Sequence, residues 1–386
     1  MVSSNTVSQS PMKPNELKSR LESSAFAFRG YNVTNLGRTS EFLDHHAYGS
    51  IVRECLVSAS AVCADVTGKA TDLVSRVERH EETSLETYAE AVALVMAVEQ
   101  AQIRILDEQF GIPLKQAQFS LGYSLGEITA VALSGVIDLH EAMRVPLTLA
   151  EDCAALADDV SLGVLFSRGK LLPLDAIRKL CLEINQTGGG TVGISAILSP
   201  NSILLMGQGD TLARLKQAIK EFPERISLRQ HDQKFPPMHT PIVWQKNVCD
   251  RAAVLMQTLR GGLTAPQPKV LSLVTGKCSY TDINARQILQ DWTDHPQLLW
   301  DAVYEILRSN VDTVIHVGPE PNIMPATFTR LKENVEVETK GKIGRQALAT
   351  VVHHPWIKRL LPERTALLRA PAIKQIILED WLLEQV

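Results

Sequence analysis

The chain has 386 residues, of which 45% are hydrophobic and 21% charged, and a mean hydropathy near zero, which is typical of a globular protein with two or three domains. The net charge of -4 argues against a nucleic-acid-binding protein, and no apolar run is long enough for a transmembrane helix. The polar N-terminus argues against a secretory signal, and the six scattered cysteines predict reduced thiols in a cytoplasmic protein.

The N-terminal part of the chain predicts a tail, a strand and a long helix. Residues 1–23 are rich in Ser, Pro, Asn and Lys and predict a flexible tail. The apolar run at 25–28 predicts a buried strand. A capping-box pattern at 83–86 predicts the start of a helix that continues to Phe110, where a glycine and a proline follow.

The next elements predict an α/β core. Residues 119–121 are typical of a strand and residues 128–133 of a helix, and further strands are expected at 270–274 and 314–317. This alternation of strands and helices indicates a mostly parallel sheet. We assign residues 24–154 and 231–335 to this core.

The segment 155–230 has a different pattern. Short strand-like and helix-like runs alternate there, and a small ferredoxin-like α+β subdomain inserted into the core is the simplest interpretation. Its predicted strands are 163–166, 192–198 and 202–206, and its predicted helices are 174–184 and 211–221.

The last segment, 336–386, is predicted to be a basic helical extension. Between Lys340 and Lys374 it carries eight basic residues and a single acidic one. Pro371 is expected to open a final helix with one apolar face. The extension either binds an acidic partner or packs on the core as a solvated appendage, and the sequence leaves both open.

The motif at Gly122–Gly126 is Gly-Tyr-Ser-Leu-Gly, a G-x-S-x-G pattern. Between a strand and a helix, this pattern predicts a sharp turn that exposes the hydroxyl of Ser124, and its glycines remove side chains that would clash. The N–H of Leu125 and the dipole of the new helix then face the developing oxyanion. The alternative is a Gly-Ser turn without catalytic function.

A serine nucleophile needs a base, and His239 is the strongest candidate among the ten histidines. Three prolines within 235–241 restrict the backbone around it and predict a rigid loop that aims the imidazole. The alternative is an ordinary histidine in a surface loop. His316 is expected to be structural, and no histidine arrangement resembles a metal site.

The segment Gly122–Leu139 resembles the active-site segment of the malonyl-CoA:acyl-carrier-protein transacylases, which begins Gly-His-Ser-Leu-Gly-Glu. In the same order, Phe26–Gly30 resembles the first strand of that family, Pro236–His239 the loop with the catalytic histidine, and Val317–Pro319 the last strand and turn. The resemblance implies an α/β-hydrolase-like core with a parallel sheet and an inserted ferredoxin-like subdomain.

The resemblance also implies an activity, a ping-pong transfer of an acyl group from acyl-CoA to the phosphopantetheine thiol of an acyl carrier protein, without a cofactor or metal. Ser124 would be the nucleophile and His239 the base. The backbone carbonyl of Trp292 would orient the histidine, and the side chain of that residue would matter little. The N–H groups of Leu125 and Tyr31 would form the oxyanion hole.

Several positions depart from the pattern of the family. Tyr123 replaces the histidine before the nucleophile, and Tyr31 replaces a glutamine at the oxyanion hole. Leu149 falls where the family has an arginine that binds the malonyl carboxylate, and a buried carboxylate without such a partner is costly. We therefore expect Tyr123, Leu149 and Met238 to contact a neutral acyl group.

Three functions are consistent with these residues. The leading one is an acyltransferase, whose preference for malonyl would return if Arg144 or Arg168 bound the carboxylate from another direction. The second is an acyl-thioester hydrolase with the same serine and histidine. The third is a catalytically weak homologue that binds carrier proteins. The expected partners are acyl-CoA and an acyl carrier protein, with no nucleic acid and no membrane.

Overall fold

The structure is a computed structural model, and it describes residues 12–167, 171–223, 225–339 and 366–385. Within these residues, a main sheet of five parallel strands has the spatial order β7-β2-β1-β8-β9. Its strands are β1 (Ser24–Phe28), β2 (Phe119–Gly122), β7 (Lys269–Leu271), β8 (Thr313–Val317) and β9 (Lys374–Ile377).

A second sheet of four antiparallel strands has the order β4-β5-β3-β6. Its strands are β3 (Val160–Ser167), β4 (Val192–Ser199), β5 (Ser202–Gln208) and β6 (Ile226–His231). Two helices, α8 (Leu174–Gln186) and α9 (Thr211–Ala218), contribute apolar side chains to the core under this sheet.

Helices accompany the main sheet in the described part of the chain. They are α1 (Pro14–Ser19), α2 (Thr39–Asp44), α3 (Gly49–Thr67), α4 (Leu73–Glu78), α5 (Tyr88–Phe110), α6 (Leu125–Leu133), α7 (Leu139–Leu156), α10 (Val248–Thr258), α11 (Ala285–Asp291), α12 (Leu299–Arg308), α13 (Ile323–Thr339) and α14 (Leu378–Leu383). None of the helices in the described part of the chain has the length and apolar character needed to cross a bilayer.

The predicted fold class is confirmed: a parallel α/β core carries an antiparallel α+β subdomain. All five residues of β1 are buried, as expected for a strand covered on both faces of a parallel sheet. Phe28 in β1 pairs with Gly122 in β2 and with Val317 in β8, so these three strands end at the same edge. The loops that follow them meet there, where α/β sheets usually bind their ligands.

Some local predictions are wrong. The capping box at 83–86 does not start the long helix, since the hydroxyl of Thr83 bonds to Asn35 and Glu82 and the helix begins at Tyr88. Pro371 does not open the last helix either. Instead, 374–377 forms β9, which was predicted as helix, and α14 follows it.

The first and the last described segments of the chain pack on the core. Part of the predicted tail, from residue 14 to residue 23, forms short helices with Leu17 and Leu21 buried. At the other end, β9 joins the edge of the main sheet beside β8. The rest of the predicted extension, 340–365, lies outside the described residues. The six cysteines are all in the described part and are free thiols.

Candidate active site

The turn between β2 and α6 is tight, and three glycines make this possible: Gly122 and Gly126 of the motif and Gly30 in the loop after β1. A Cβ atom on Gly122 would lie 2.0 Å from the carbonyl carbon of Gly126. A Cβ atom on Gly126 would lie 2.4 Å from the carbonyl oxygen of Phe28. A Cβ atom on Gly30 would lie 2.6 Å from the carbonyl oxygen of Tyr123. Only glycine fits at these contacts, so the loop after β1 lies directly against the turn.

Ser124 occupies the apex of this turn in a strained conformation, with φ 54° and ψ −117°. It immediately precedes α6, and its side chain is half-buried. The motif therefore forms the strand-turn-helix arrangement that a nucleophile elbow requires.

His239 lies in the proline-rich loop, and several hydrogen bonds fix this loop. The N–H of His239 donates to the carbonyl oxygen of Thr293 at 2.8 Å. The hydroxyl of Thr240 donates to the carbonyl oxygen of Pro237 at 2.7 Å. The hydroxyl of Ser195 donates to the carbonyl oxygen of Met238 at 3.2 Å. His239 has a positive φ of 67°, which a non-glycine residue adopts only when its surroundings hold it.

The structure brings the predicted serine, histidine and orienting carbonyl together. Oγ of Ser124 lies 2.7 Å from Nε2 of His239, and Nδ1 of His239 lies 2.7 Å from the carbonyl oxygen of Trp292. Since a carbonyl oxygen only accepts, Nδ1–H donates to Trp292 and Nε2 accepts from the Ser124 hydroxyl.

Burial keeps this histidine neutral. Desolvation lowers the pKa of His239 to about 4, although the hydrogen bond to Trp292 and the charge of Asp294 act in the opposite direction. A neutral imidazole with its proton on Nδ1 is the form that can accept a proton from Ser124.

Two backbone donors near the serine are available for an oxyanion. Among the described residues, neither the N–H of Leu125 nor that of Tyr31 has a hydrogen-bond partner. The loop of Tyr31 lies close, since a Cβ atom on the preceding Gly30 would lie 3.3 Å from Cβ of Ser124. These are the two N–H groups to which the resemblance assigns the oxyanion hole.

Sequence reasoning missed Gln297 and underestimated Trp292. The buried Gln297 accepts the N–H of Ser124 through Oε1 at 3.0 Å, and its amide nitrogen lies 3.3 Å from Nδ1 of His239. The indole N–H of Trp292 donates to the carbonyl oxygen of Ser124 at 2.8 Å, so this side chain also holds the turn. The identity of residue 292 matters little for the contact of its carbonyl with His239, but it matters for this second contact.

Ser124 and His239 open into a cavity of about 180 Å³ between the main sheet and the second sheet. The predicted contact residues Tyr123 and Met238 line it. The remaining wall is largely aromatic or aliphatic, and includes Tyr31, Tyr88, Phe235, Leu162, Leu204 and Met206.

The cavity offers no free cation among its described lining residues. Its single arginine, Arg29, is buried, and its guanidinium donates to the carbonyl oxygens of Gly30, Pro319 and Thr34 and to Oδ1 of Asn35. Arg29 therefore ties the loop after β1 to the loop after β8, and four of its five N–H donors are already used within the chain.

Leu149 is absent from the residues that line this cavity, contrary to our expectation. It is buried in the core of the molecule, on α7. Arg144 does not take the place of the family's carboxylate-binding arginine, because its guanidinium pairs with Asp65 on the surface at 2.8 Å. Arg168 lies outside the described residues. Within the described residues, no group of histidine, cysteine or acidic side chains is arranged to hold a metal ion.

Solved structures with the same fold are malonyl-CoA:acyl-carrier-protein transacylases. The enzyme of Xanthomonas oryzae superposes with a TM-score of 0.62 at 19% identity, over 79% of this chain and 90% of the other. The acyl carrier protein S-malonyltransferase of Vibrio cholerae superposes with a TM-score of 0.61 at 22% identity, over 77% and 90%. The resemblance seen in the motifs is thus confirmed at the level of the fold.

Among curated proteins, a naringenin synthase of Pestalotiopsis fici is 29% identical over 212 residues, which are 53% of this chain and 7% of that protein. A highly reducing polyketide synthase of Calcarisporium arbuscula is 21% identical over 315 residues, or 76% and 12%. The chain thus spans only a small part of the length of these relatives. No family model matches it.

Proposed function

We propose that this chain is an acyltransferase, which takes an acyl group from acyl-CoA onto Ser124 and passes it to the phosphopantetheine thiol of an acyl carrier protein. The observation that carries the proposal is the contact of 2.7 Å between Oγ of Ser124 and Nε2 of His239 at a strained elbow. The similarity in fold to transacylases and the similarity in sequence to parts of polyketide synthases support it.

In the first half-reaction, Oγ of Ser124 attacks the thioester carbonyl carbon while Nε2 of His239 takes the hydroxyl proton. The oxyanion accepts hydrogen bonds from the N–H groups of Leu125 and Tyr31. Collapse of this intermediate breaks the carbon–sulfur bond, and His239 returns the proton to the leaving thiolate. An acyl ester on Ser124 and free coenzyme A result.

The second half-reaction reverses these steps with a new thiol. His239 takes the proton of the carrier thiol, whose sulfur attacks the acyl ester. The serine oxygen leaves and recovers the proton from His239, so the acyl group ends as a thioester on the carrier. The carbonyl of Trp292 holds the imidazole in the required tautomer through both halves.

We further propose that the acyl group is short and neutral. The cavity beside Ser124 has a mostly apolar wall, and four of the five N–H groups of its one guanidinium already donate to oxygen atoms of the chain. A malonyl carboxylate there would lose its hydration without a bidentate partner, and such a loss costs several kcal/mol per ion even after the protein relaxes. Acetyl and other small acyl groups lose no charge hydration.

The test is intact-mass spectrometry of the protein after incubation with acetyl-, butyryl- and malonyl-CoA. We expect an acyl adduct with the two neutral thioesters in the wild type and in Ser199→Ala, a serine away from the cavity. Ser124→Ala should show none, because it lacks the nucleophile. An adduct that persists in Ser124→Ala would overturn the assignment of the nucleophile.

The fate of the adduct separates transfer from hydrolysis. When a carrier protein with its phosphopantetheine arm is added, an acyltransferase loses the adduct and the carrier gains the same mass. A hydrolase loses the adduct in buffer alone, at the same rate with and without the carrier. A protein that forms no adduct with any of the thioesters is the catalytically weak homologue.

A further inference from the structure

Two cavities meet at one residue, Tyr88. The first, of about 180 Å³, contains Ser124. The second, of about 340 Å³, lies between the end of α3, the first turn of α5 and the middle of α7. Tyr88 lines both cavities and is the first residue of α5.

The side chain of Tyr88 is held in place between the cavities. It is only 8% exposed, and its ring packs edge-on against Tyr31, with the ring centroids 4.8 Å apart. Tyr31 in turn packs against Phe235, at 6.2 Å. Such aromatic contacts restrict the ring, so it forms a fixed wall at this end of the cavity.

The size of the first cavity limits what fits beside Ser124. An apolar cavity of about 150 Å³ holds a benzene ring, so about six carbon atoms fill a space of this size. Protein interiors are close-packed, and a longer chain would need the wall to move. The second cavity shares Tyr88 with the first, and its wall combines apolar side chains such as Val66 and Leu147 with polar ones.

We propose that Tyr88 is a specificity-determining residue that closes the inner end of the acyl cavity and sets the maximum length of the acyl group. This inference rests on the proposed function, and it adds the chain length of the substrate to it. A smaller residue at this position joins the first cavity to the second and admits longer acyl chains.

The experiment compares acylation of Ser124 by hexanoyl-CoA and decanoyl-CoA, with intact-mass detection. The wild type is expected to accept hexanoyl-CoA and to react slowly with decanoyl-CoA. Tyr88→Ala should raise the decanoyl-to-hexanoyl rate ratio by about tenfold or more, since each additional buried methylene contributes about fourfold to binding. Tyr88→Phe keeps the ring and should keep the ratio of the wild type.

A second variant tests the path of the chain. Ala154 is half-buried and lines only the second of the two cavities. Adding Ala154→Phe to Tyr88→Ala fills this space and should return the rate ratio to that of the wild type. If Tyr88→Ala does not fold, as judged by circular dichroism, Tyr88→Leu provides a narrower opening with a larger apolar residue and should raise the ratio by less.

The outcomes separate this inference from the proposed function. A wild type that no acyl-CoA labels at Ser124 overturns the proposed function. A wild type that is labelled, together with an unchanged rate ratio in folded Tyr88→Ala and Tyr88→Leu, overturns the inference alone. An increased ratio that Ala154→Phe reverses supports both the wall and the second cavity as its continuation.

Discussion

At the level of single residues, the reactivity proposed for Ser124 depends on the protonation state of His239. The imidazole is buried at 3% exposure and faces a hydroxyl on one side and a carbonyl on the other. No carboxylate is hydrogen-bonded to the imidazole among the described residues. The positive charge of a protonated imidazole would therefore be only weakly stabilised. Desolvation therefore outweighs the favourable contacts of the protonated form.

We predict that the pH profile of acylation reflects this burial. Since the pKa of His239 is lowered to about 4, the neutral base persists to low pH, and kcat/KM should fall only as the pH drops through about 4. The measurement is the rate of Ser124 acylation across the acid range, with circular dichroism to confirm that the chain stays folded. A half-maximal rate near pH 6.5, the value of an exposed histidine, would contradict the prediction.

The same shift has a defined effect on stability. Between about pH 4 and pH 6.5 the unfolded chain binds the histidine proton more tightly than the folded chain does. The contribution of His239 to the free energy of unfolding therefore increases with pH over that window and is constant above it.

Single residues also show what the sequence could and could not predict. The glycines around Ser124 and the prolines around His239 are local signals, because backbone geometry is set by neighbours in sequence. Gln297 lies 173 positions from Ser124 and has no such signal. Position 149 follows from the resemblance, by the distance of the family's arginine from the serine, but such a distance does not give the direction of a side chain, and Leu149 lies in the core.

At the level of elements, α6 is fixed to the segment after β7 by one buried carboxylate. Glu127, in the first turn of α6, accepts the N–H of Leu273 at 2.9 Å and the hydroxyl of Tyr280 at 2.9 Å. Burial raises its pKa to about 7. The carbonyl of Leu273 accepts the N–H of Leu298. Because Leu298 follows Gln297, Glu127 also helps to position Gln297, which accepts the N–H of Ser124.

We predict that Glu127→Ala lowers the free energy of unfolding by about 2–4 kcal/mol. The substitution leaves a buried N–H and a buried hydroxyl without an acceptor, and each such loss costs about 1–3 kcal/mol. Urea denaturation measures the change. The control is Glu108→Ala, which removes an exposed pair with Arg104 and should cost about 0.5 kcal/mol or less. Equal effects of the two substitutions would contradict the role of Glu127.

Elements differ in how well the sequence predicts them. The strand β1 is an apolar run covered on both faces, and the apolar residues of this run are enough to predict that it is buried. The edge strand β9 contains Lys374 and Gln375, and its periodicity does not distinguish it from a helix. Pairing with β8, which is distant in sequence, decides its structure.

At the level of the whole molecule, the C-terminal segment supports a loop that lines the cavity, although the sequence resemblance ends before this segment. The carboxylate of Glu379, in α14, accepts the N–H of Arg38 at 2.6 Å and that of Glu320 at 3.0 Å. Glu320 precedes Pro321–Ile323, which line the cavity of Ser124. The guanidinium of Arg369 donates to three carbonyl oxygens at the end of α12 and before β8.

We predict that removal of residues 366–386 both destabilises the chain and slows acylation of Ser124. The deletion exposes β8, an apolar strand whose free edge would promote aggregation, and it releases the loop at Glu320.

Glu379→Ala in the full chain separates the two effects, because β9 stays paired while the loop loses its acceptor. Lys374→Ala, on the exposed start of β9, is the control and should behave like the wild type. Solubility, urea denaturation and the acylation rate are the measurements. A deletion variant as soluble and as active as the full chain would show that the cavity is complete without its C-terminal segment.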